Sequence, residues 1–260
     1  MESKTVEESI ASAMEDKNIN LIKHYPYILQ DFWEIGTSSL EVIKIIKKYK
    51  ENYSNLSVLD LGSGKGAVSI NISSELKCKC LGIDAIDNFV IFSNDKAKEY
   101  GLDNICTFET NDIRTRLKTL GKYDIIILGA IGPVFGDFCE TLLKLSPHLN
   151  ENGLIIMNEA YVEDGHKTDY PNVFTKSIIL NQINSAGMEI IESIIADETH
   201  EVKEDFEQDA VNLEKRCLEL IEKYPENKNM FLKYIENQKE LYRKLDNEVI
   251  GVLFVIKKKM

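Results

Sequence analysis

VLDLGSGKG, residues 58–66, sets three glycines and one acid directly behind a run of β-forming residues. Asp60, Gly62, Gly64 and Gly66 fall on every second position. Read as a strand ending at Leu61 and a helix opening at Gly66, the stretch delivers bare backbone to the carboxyl edge of a sheet. Open α/β sheets bind their ligands at that edge. Glycine lacks Cβ, so it permits positive φ and lets a ligand approach the main chain. The spacing then separates ligand classes. A dinucleotide loop runs G-x-G-x-x-G/A, and a P-loop runs G-x-x-x-x-G-K-S/T. Here the glycines run G-x-G-x-G, and Lys65-Gly66-Ala67 completes neither pattern. An acid two residues before the first glycine sits poorly with a polyphosphate and suits an ammonium or a sulfonium.

Outward from this loop, short apolar runs alternate with helix-length amphipathic stretches from about Ser57 to Ile195. The pattern predicts strands over 57–61, 78–84, 105–110, 123–129, 153–159 and 188–195, and helices near 66–76, 88–100, 134–147 and 173–186. The continuous run Ile125–Leu128 is that of a central strand covered on both faces. Strands alternating with helices call for a parallel sheet with right-handed crossovers, a doubly wound α/β sandwich. A last strand, 249–258, follows a gap from about 197 to 248 whose apolar residues keep helical spacing on both sides of Pro225. Two helices inserted before the last strand are expected there. Residues 1–50 also read as helical, interrupted by the aromatic-rich HYPYILQDFW (24–33).

The 260 residues carry a formal net charge of -12. An acidic surface repels phosphate backbones, so nucleic acid is not the expected partner. No stretch approaches the roughly 18 apolar residues of a membrane span, and residues 1–9 do not read as a signal peptide. The five cysteines lack CxxC spacing; a reduced, soluble, cytoplasmic protein without a metal site is expected, as a monomer or homodimer.

Further acids follow at the same sheet edge. Asp84 ends the second strand, where a carboxylate can accept hydrogen bonds from ribose hydroxyls. Asp112 follows the third strand, where it could face the amine of an adenine. Gly129-Ala130-Ile131-Gly132-Pro133 closes the fourth. Each acid could instead cap the next helix. Four strand ends carrying D-x-G-x-G-x-G, D, ND and GA, in order, make a joint signal that no single one makes.

On these motifs the chain resembles the class I S-adenosylmethionine-dependent methyltransferases, and within them the small-molecule methyltransferases of bacteria. VLDLGSGKG, LGIDAID, NDIRT and YDIIILGAIGP are similar to the family's first four strand-end motifs, and HLNENGLIIMNEAY to its fifth, with Asn152 where the family's turn has its first glycine. The resemblance implies a Rossmann-like, seven-stranded, mostly parallel sheet with an antiparallel last strand. It implies a methyltransferase domain over 51–260 that carries the insertion 197–248, preceded by a lid segment over 1–50. It also implies S-adenosylmethionine as cofactor, with Asp60, Gly62, Gly64 and Gly66 around its methionine end. Asp84 and Ala85 would lie at the ribose, Asp112 and Ile113 at the adenine, and Gly129 near the amino group and methyl.

Methyl transfer from a sulfonium mainly needs alignment of acceptor and methyl. A general base helps hydroxyl or ammonium acceptors. Candidates facing the acceptor are Glu159 and Tyr161 after the fifth strand, and His24 with Tyr25, Tyr27 and Trp33 in the N-terminal segment. His166 and the acidic stretch 196–209, with its His200–Glu204 pair, read more simply as solvated polar surface. The expected function is methyl transfer to a small-molecule acceptor. The alternatives are a sensor or pseudoenzyme that only binds the cofactor, and a nicotinamide-dependent oxidoreductase, which the glycine spacing disfavours.

Overall fold

The computed structural model of the protein describes residues 4–170, 172–195 and 200–259. Its first half runs α1 (Val6–Ala13), α2 (Tyr25–Ile28), α3 (Ser39–Tyr49), β1 (Ser57–Leu61), α4 (Ala67–Leu76), β2 (Lys79–Asp84), α5 (Asp87–Glu99), β3 (Cys106–Thr110) and α6 (Ile113–Arg116). It continues with β4 (Tyr123–Gly129), α7 (Phe138–Leu145), β5 (Leu149–Val162), β6 (Phe174–Thr175), α8 (Lys176–Ser185), β7 (Met188–Ile195), α9 (His200–Lys223), α10 (Lys228–Asn247) and β8 (Ile250–Lys258). The chain divides into two compact units. One holds residues 33–159, 177–194 and 252–260, and the other holds 1–32, 160–176 and 195–251.

The sheet gives the first unit its form. Its strand order is β3-β2-β1-β4-β5-β8-β7, with the two-residue β6 added beside β5. β1 pairs in parallel with β2 and β4, β2 with β3, and β4 with β5. β8 enters antiparallel between β5 and β7. The expected seven-strand path is therefore present, with β6 as a small addition that two residues of sequence could not announce. Ile125, Ile126 and Ile127 are fully buried, as a central parallel strand with helices on both faces requires. Val58, Ile70, Ile125, Ile127, Ile156 and Val255 join α3 residues Val42, Ile45 and Ile46 in one apolar core.

Two local departures from the sequence reading have clear causes. α7 starts at Phe138 rather than near 134, because Gly132 and Gly136 take positive φ (63° and 112°) and Asp137 closes a capping box with Glu140. Asn152 sits at φ 58°, the left-handed region that asparagine tolerates better than most residues. That explains how asparagine can stand at the glycine position of the β5 turn.

The second unit is helical. α9 and α10 form an antiparallel pair broken at Pro225, and Leu213, Cys217, Leu220, Phe231, Tyr234 and Ile235 are buried along it. Leu21, Tyr25 and Ile28 of the N-terminal segment are buried in the same unit. Arg216 holds Asp31 through two hydrogen bonds of 2.6 and 2.8 Å, and the Tyr27 hydroxyl donates to Glu219 at 2.7 Å. The acidic stretch 196–209 and its His200–Glu204 pair lie, in most of their side chains, outside the described residues. Among the described residues no helix is long and apolar enough to cross a membrane, and no group of three or more His, Cys, Asp or Glu could hold a metal ion.

Candidate functional site

Parallel pairing brings the ends of β1, β2 and β4 to one edge: Leu61 lies beside Ile83 and Leu128, and Gly129 beside Asn158 of β5. The chain leaving β1 cannot simply enter α4. It first loops back so that the Gly62 and Ser63 amides both donate to the Ile83 carbonyl, at 2.8 and 3.1 Å, and Gly66 donates to the Ser63 carbonyl at 2.9 Å. Three positive φ values achieve this turn: 75° at Gly62, 53° at Gly64 and 76° at Gly66.

The three glycines serve different ends. A Cβ on Gly62 would lie 2.3 Å from Cγ2 of Ile131, and one on Gly66 would lie 2.7 Å from Cζ of Phe108. Those two glycines allow the loop to pack on its own protein. A Cβ on Gly64 would meet nothing nearer than Cδ1 of Ile35 at 4.0 Å. Gly64 alone of the three turns bare backbone toward open space. Gly82, which the sequence reading passed over, makes room for Phe108 and for the Ser63 side chain in the same layer.

The acids are held by main-chain donors. The Asp84 carboxylate accepts from the Gly64 and Ile86 amides, each at 2.8 Å. Burial pushes its pKa up to about 6 against the opposing pull of those hydrogen bonds. Asp60 is buried and accepts from the Ser69 hydroxyl at 2.7 Å. Burial, reinforced by the charge of Asp84, also raises it to about 6. Its side chain thus ties the end of β1 to the first turn of α4. Ala85, half-buried, continues from Asp84 along the same edge.

Asp112 caps α6 by accepting from the Arg114 amide at 2.9 Å, and the Arg114 guanidinium closes on both carboxylate oxygens at 2.9–3.1 Å. Burial would raise its pKa, but the Arg114 hydrogen bonds and charge outweigh burial and hold it below the usual range. The structure shows the helix cap that was the alternative reading of this acid. Ile113 beside it is buried.

Glu159 is half-buried and, like Tyr161, lies inside β5 rather than after it, because the strand runs on to Val162 and pairs there with β6. Desolvation alone pushes the pKa of Glu159 up to about 7. The other two candidates for the acceptor side belong to the helical unit. His24 is buried, its ring 5.4 Å from that of Tyr224 and 5.0 Å from that of Phe231. Burial, then Lys23 and Lys223, lowers its pKa. Tyr161 is also buried, with the Lys176 ammonium 5.4 Å from its ring centroid. Tyr25 faces Tyr234 in the same aromatic layer as His24.

The N-terminal segment expected as a lid touches the glycine loop through residues 33–37, of which sequence reasoning named only Trp33. Trp33 Nε1 donates to the Lys65 carbonyl at 3.3 Å, and Ile35 stands over Gly64. Asn158 Nδ2 donates to the Gly36 carbonyl at 3.1 Å, and a Cβ on Gly36 would sit 3.0 Å from that of Ala130. Ala130 itself holds a positive φ of 58°, an uncommon state for a residue with a side chain. Thr37 is buried against Gly129, whose missing Cβ leaves room for the hydroxyl. Of the N-terminal aromatics, Trp33 is the one at the loop. The Gly-Thr-Ser-Ser run had a visible signal as a helix start, which Ser38 supplies by capping α3, but nothing in its spacing says that it reaches β4.

A family model described as a methyltransferase domain matches residues 52–248. The chain belongs to that family. Over 104 residues it is 33% identical to ribosomal protein L11 methyltransferase of Lactobacillus johnsonii, covering 40% of this chain and 31% of that protein. Over 105 residues it is 31% identical to phosphoethanolamine N-methyltransferase of Plasmodium falciparum, covering 40% of this chain and 38% of that protein. The chain thus spans about a third of the length of these curated relatives. Its fold matches a methyltransferase from Geobacter sulfurreducens in complex with S-adenosylhomocysteine, with a TM-score of 0.73 at 17% identity over 91% of this chain and 98% of that one. It also matches YjhP from E. coli, with a TM-score of 0.74 at 16% identity over 92% and 100% of the two chains.

The family's cofactor is S-adenosylmethionine, and the residues present fit it. Gly64 opens onto free space, Asp84 stands half-buried at the end of β2, and Thr37 and Ser63 carry buried hydroxyls with no hydrogen-bond partner.

Proposed function

We propose that this protein transfers a methyl group to a small-molecule acceptor. In this reading Gly64 presents bare backbone to the amino-acid end of the cofactor near Gly129, Gly62 and Gly66 let the loop take that shape, and Asp60 holds the loop from beneath. Asp84 with Ala85 receives the ribose, and Asp112 with Ile113 borders the adenine. When bound, S-adenosylmethionine supplies an activated methyl on a sulfonium, open to displacement in line. The work left to the chain is positioning, exclusion of water and proton handling.

Glu159 is the acceptor-side group. A carboxyl with a pKa near 7 can hold or release a proton at neutral pH, and as a carboxylate it can pair with a cationic acceptor. His24 and Tyr161 are left to packing, because both are buried in the helical unit, His24 beside the rings of Tyr224 and Phe231.

The observation that carries the small-molecule reading is the cover formed by Trp33–Thr37. The Trp33 and Ile35 side chains lie against the glycine loop, and Gly36 and Thr37 against Asn158, Ala130 and Gly129 of the β4 and β5 side. A loop of a folded protein would have to displace that cover, whereas a small molecule can enter beside it. Methyl-labelled S-adenosylmethionine incubated with the enzyme and a cell extract tests this. After ultrafiltration, label in the low-mass filtrate that is lost with Glu159→Gln is the expected result. Label confined to the protein or nucleic-acid fraction would overturn the small-molecule acceptor.

A further inference from the structure

Thr37 presents a problem that the fold itself does not solve. It is 3% exposed, and its hydroxyl has no hydrogen-bond partner. A buried hydroxyl without a partner is unfavourable, and a chain retains one where something else satisfies it. Its surroundings are specific. The hydroxyl oxygen lies 2.8 Å from the position a Gly129 Cβ would occupy, so a side chain there would displace it. Gly129 pairs with Asn158, and the Asn158 amide holds the carbonyl of Gly36, the residue before Thr37. Ile35, two residues before Thr37, stands over Gly64, the glycine of the loop that opens onto free space. The unsatisfied hydroxyl thus lies against Gly129 at the end of β4, in a segment held by the Asn158 side chain of β5 and by Ile35 beside the glycine loop. A hydroxyl donor is a group suited to a carboxylate.

We propose that Thr37 is a cofactor-binding residue whose hydroxyl donates to the carboxylate at the amino-acid end of the methyl donor, so that the Trp33–Thr37 segment completes the site from above. This rests on the cofactor reading given above. It has a signature that a merely structural role lacks. Replacing an unpartnered hydroxyl by a methyl group removes an unfavourable burial from the ligand-free protein, while removing a hydrogen bond from the complex. Stability and affinity should then move in opposite directions.

The test compares the parent, Thr37→Val and Thr37→Ser by calorimetric titration with S-adenosylhomocysteine and with 5′-methylthioadenosine, which lacks the amino-acid end. Ligand-free melting temperatures accompany the titrations. Trp33, the chain's sole tryptophan, lies on the Lys65 carbonyl and gives a second, fluorescent readout of binding. Thr37→Val should bind S-adenosylhomocysteine about tenfold more weakly and methylthioadenosine as the parent does. It should melt no lower than the parent, and Thr37→Ser should restore affinity. Equal binding of S-adenosylhomocysteine by parent and Thr37→Val would overturn the proposal and leave the cofactor reading standing. An equal loss toward both ligands would also overturn it, since the hydroxyl would then not serve the amino-acid end. Failure of the parent to bind either ligand would instead remove the cofactor reading, and this proposal with it.

Discussion

The glycine-loop edge and the helical unit both bury polar groups, but they treat them differently. At the edge, Asp84 is held by two main-chain amides and Asp60 by a hydroxyl of the next helix. In the helical unit, the Nε2 of His24 and the hydroxyl of Tyr25 are buried without partners among aromatic rings. The first arrangement fixes carboxyl groups in place at the carboxyl edge of the sheet. The second uses polar residues as ring-shaped filler. The Thr37 and Ser63 hydroxyls at the edge are also buried without partners, but they lie where glycines leave room for them, whereas His24 and Tyr25 lie among rings; the surroundings tell the two apart.

The sharpest way to break this contrast is Asp84→Asn. An amide offers one acceptor oxygen where Gly64 and Ile86 present two donors, so one buried amide loses its partner at a cost of about 1–3 kcal/mol. Affinity for S-adenosylhomocysteine should fall by roughly two orders of magnitude through the combined loss of the ribose contact and the loop geometry. Calorimetry beside a thermal melt separates the two effects. Affinity unchanged within twofold would remove Asp84 from the site.

Two glycine substitutions sharpen the comparison within the loop. Gly62→Ala forces a Cβ against Ile131 at a positive φ and should destabilise the fold by about 2–4 kcal/mol. Gly64→Ala meets no atom and should cost only about 1 kcal/mol from its φ, yet it should weaken cofactor binding at least as much as Gly62→Ala. Equal stability losses in the two variants would contradict the assignment of one glycine to packing and the other to the ligand.

The pH dependence of stability carries a smaller effect. Asp60 and Asp84 near 6 and Glu159 near 7 lie above the ordinary carboxylate values. Between about pH 4 and 7 the folded protein therefore holds more protons than the unfolded chain, and these groups make stability fall as pH rises through that window. His24, lowered in the fold, contributes the opposite slope: its part of the stability is lost as pH falls below the ordinary histidine value of about 6.5. Melts across this range should show Asp60→Asn and Glu159→Gln flattening the first trend and His24→Phe removing the second. The smallest effect is expected for His24→Phe on ligand affinity, which should stay within twofold of the parent by titration. A tenfold loss would return His24 to the site.

How much of this was legible in the sequence follows from the same contrast. Asp60, Asp84, Asp112 and Gly129 were readable because parallel strands of similar length bring their carboxyl ends to one edge, so sequence spacing becomes position. Which glycine packs on the protein and which turns to open space was not readable, since that depends on Ile131, Phe108 and Ile35, side chains from three other segments. The role of Thr37 was hidden because Ser38 gives the same run a sufficient local reason as a helix cap. His24 met a partner more than 200 residues away, Phe231, and no local pattern announces that an aromatic-rich stretch will be filled from such a distance.

The most direct test of the account is a calorimetric titration of the unmodified protein with S-adenosylhomocysteine, with NADH as the control. One site of micromolar or tighter affinity, with no heat from NADH, is the predicted result. No binding of S-adenosylhomocysteine, or preferential binding of NADH, would contradict the assignment of this sheet edge to the methyl donor.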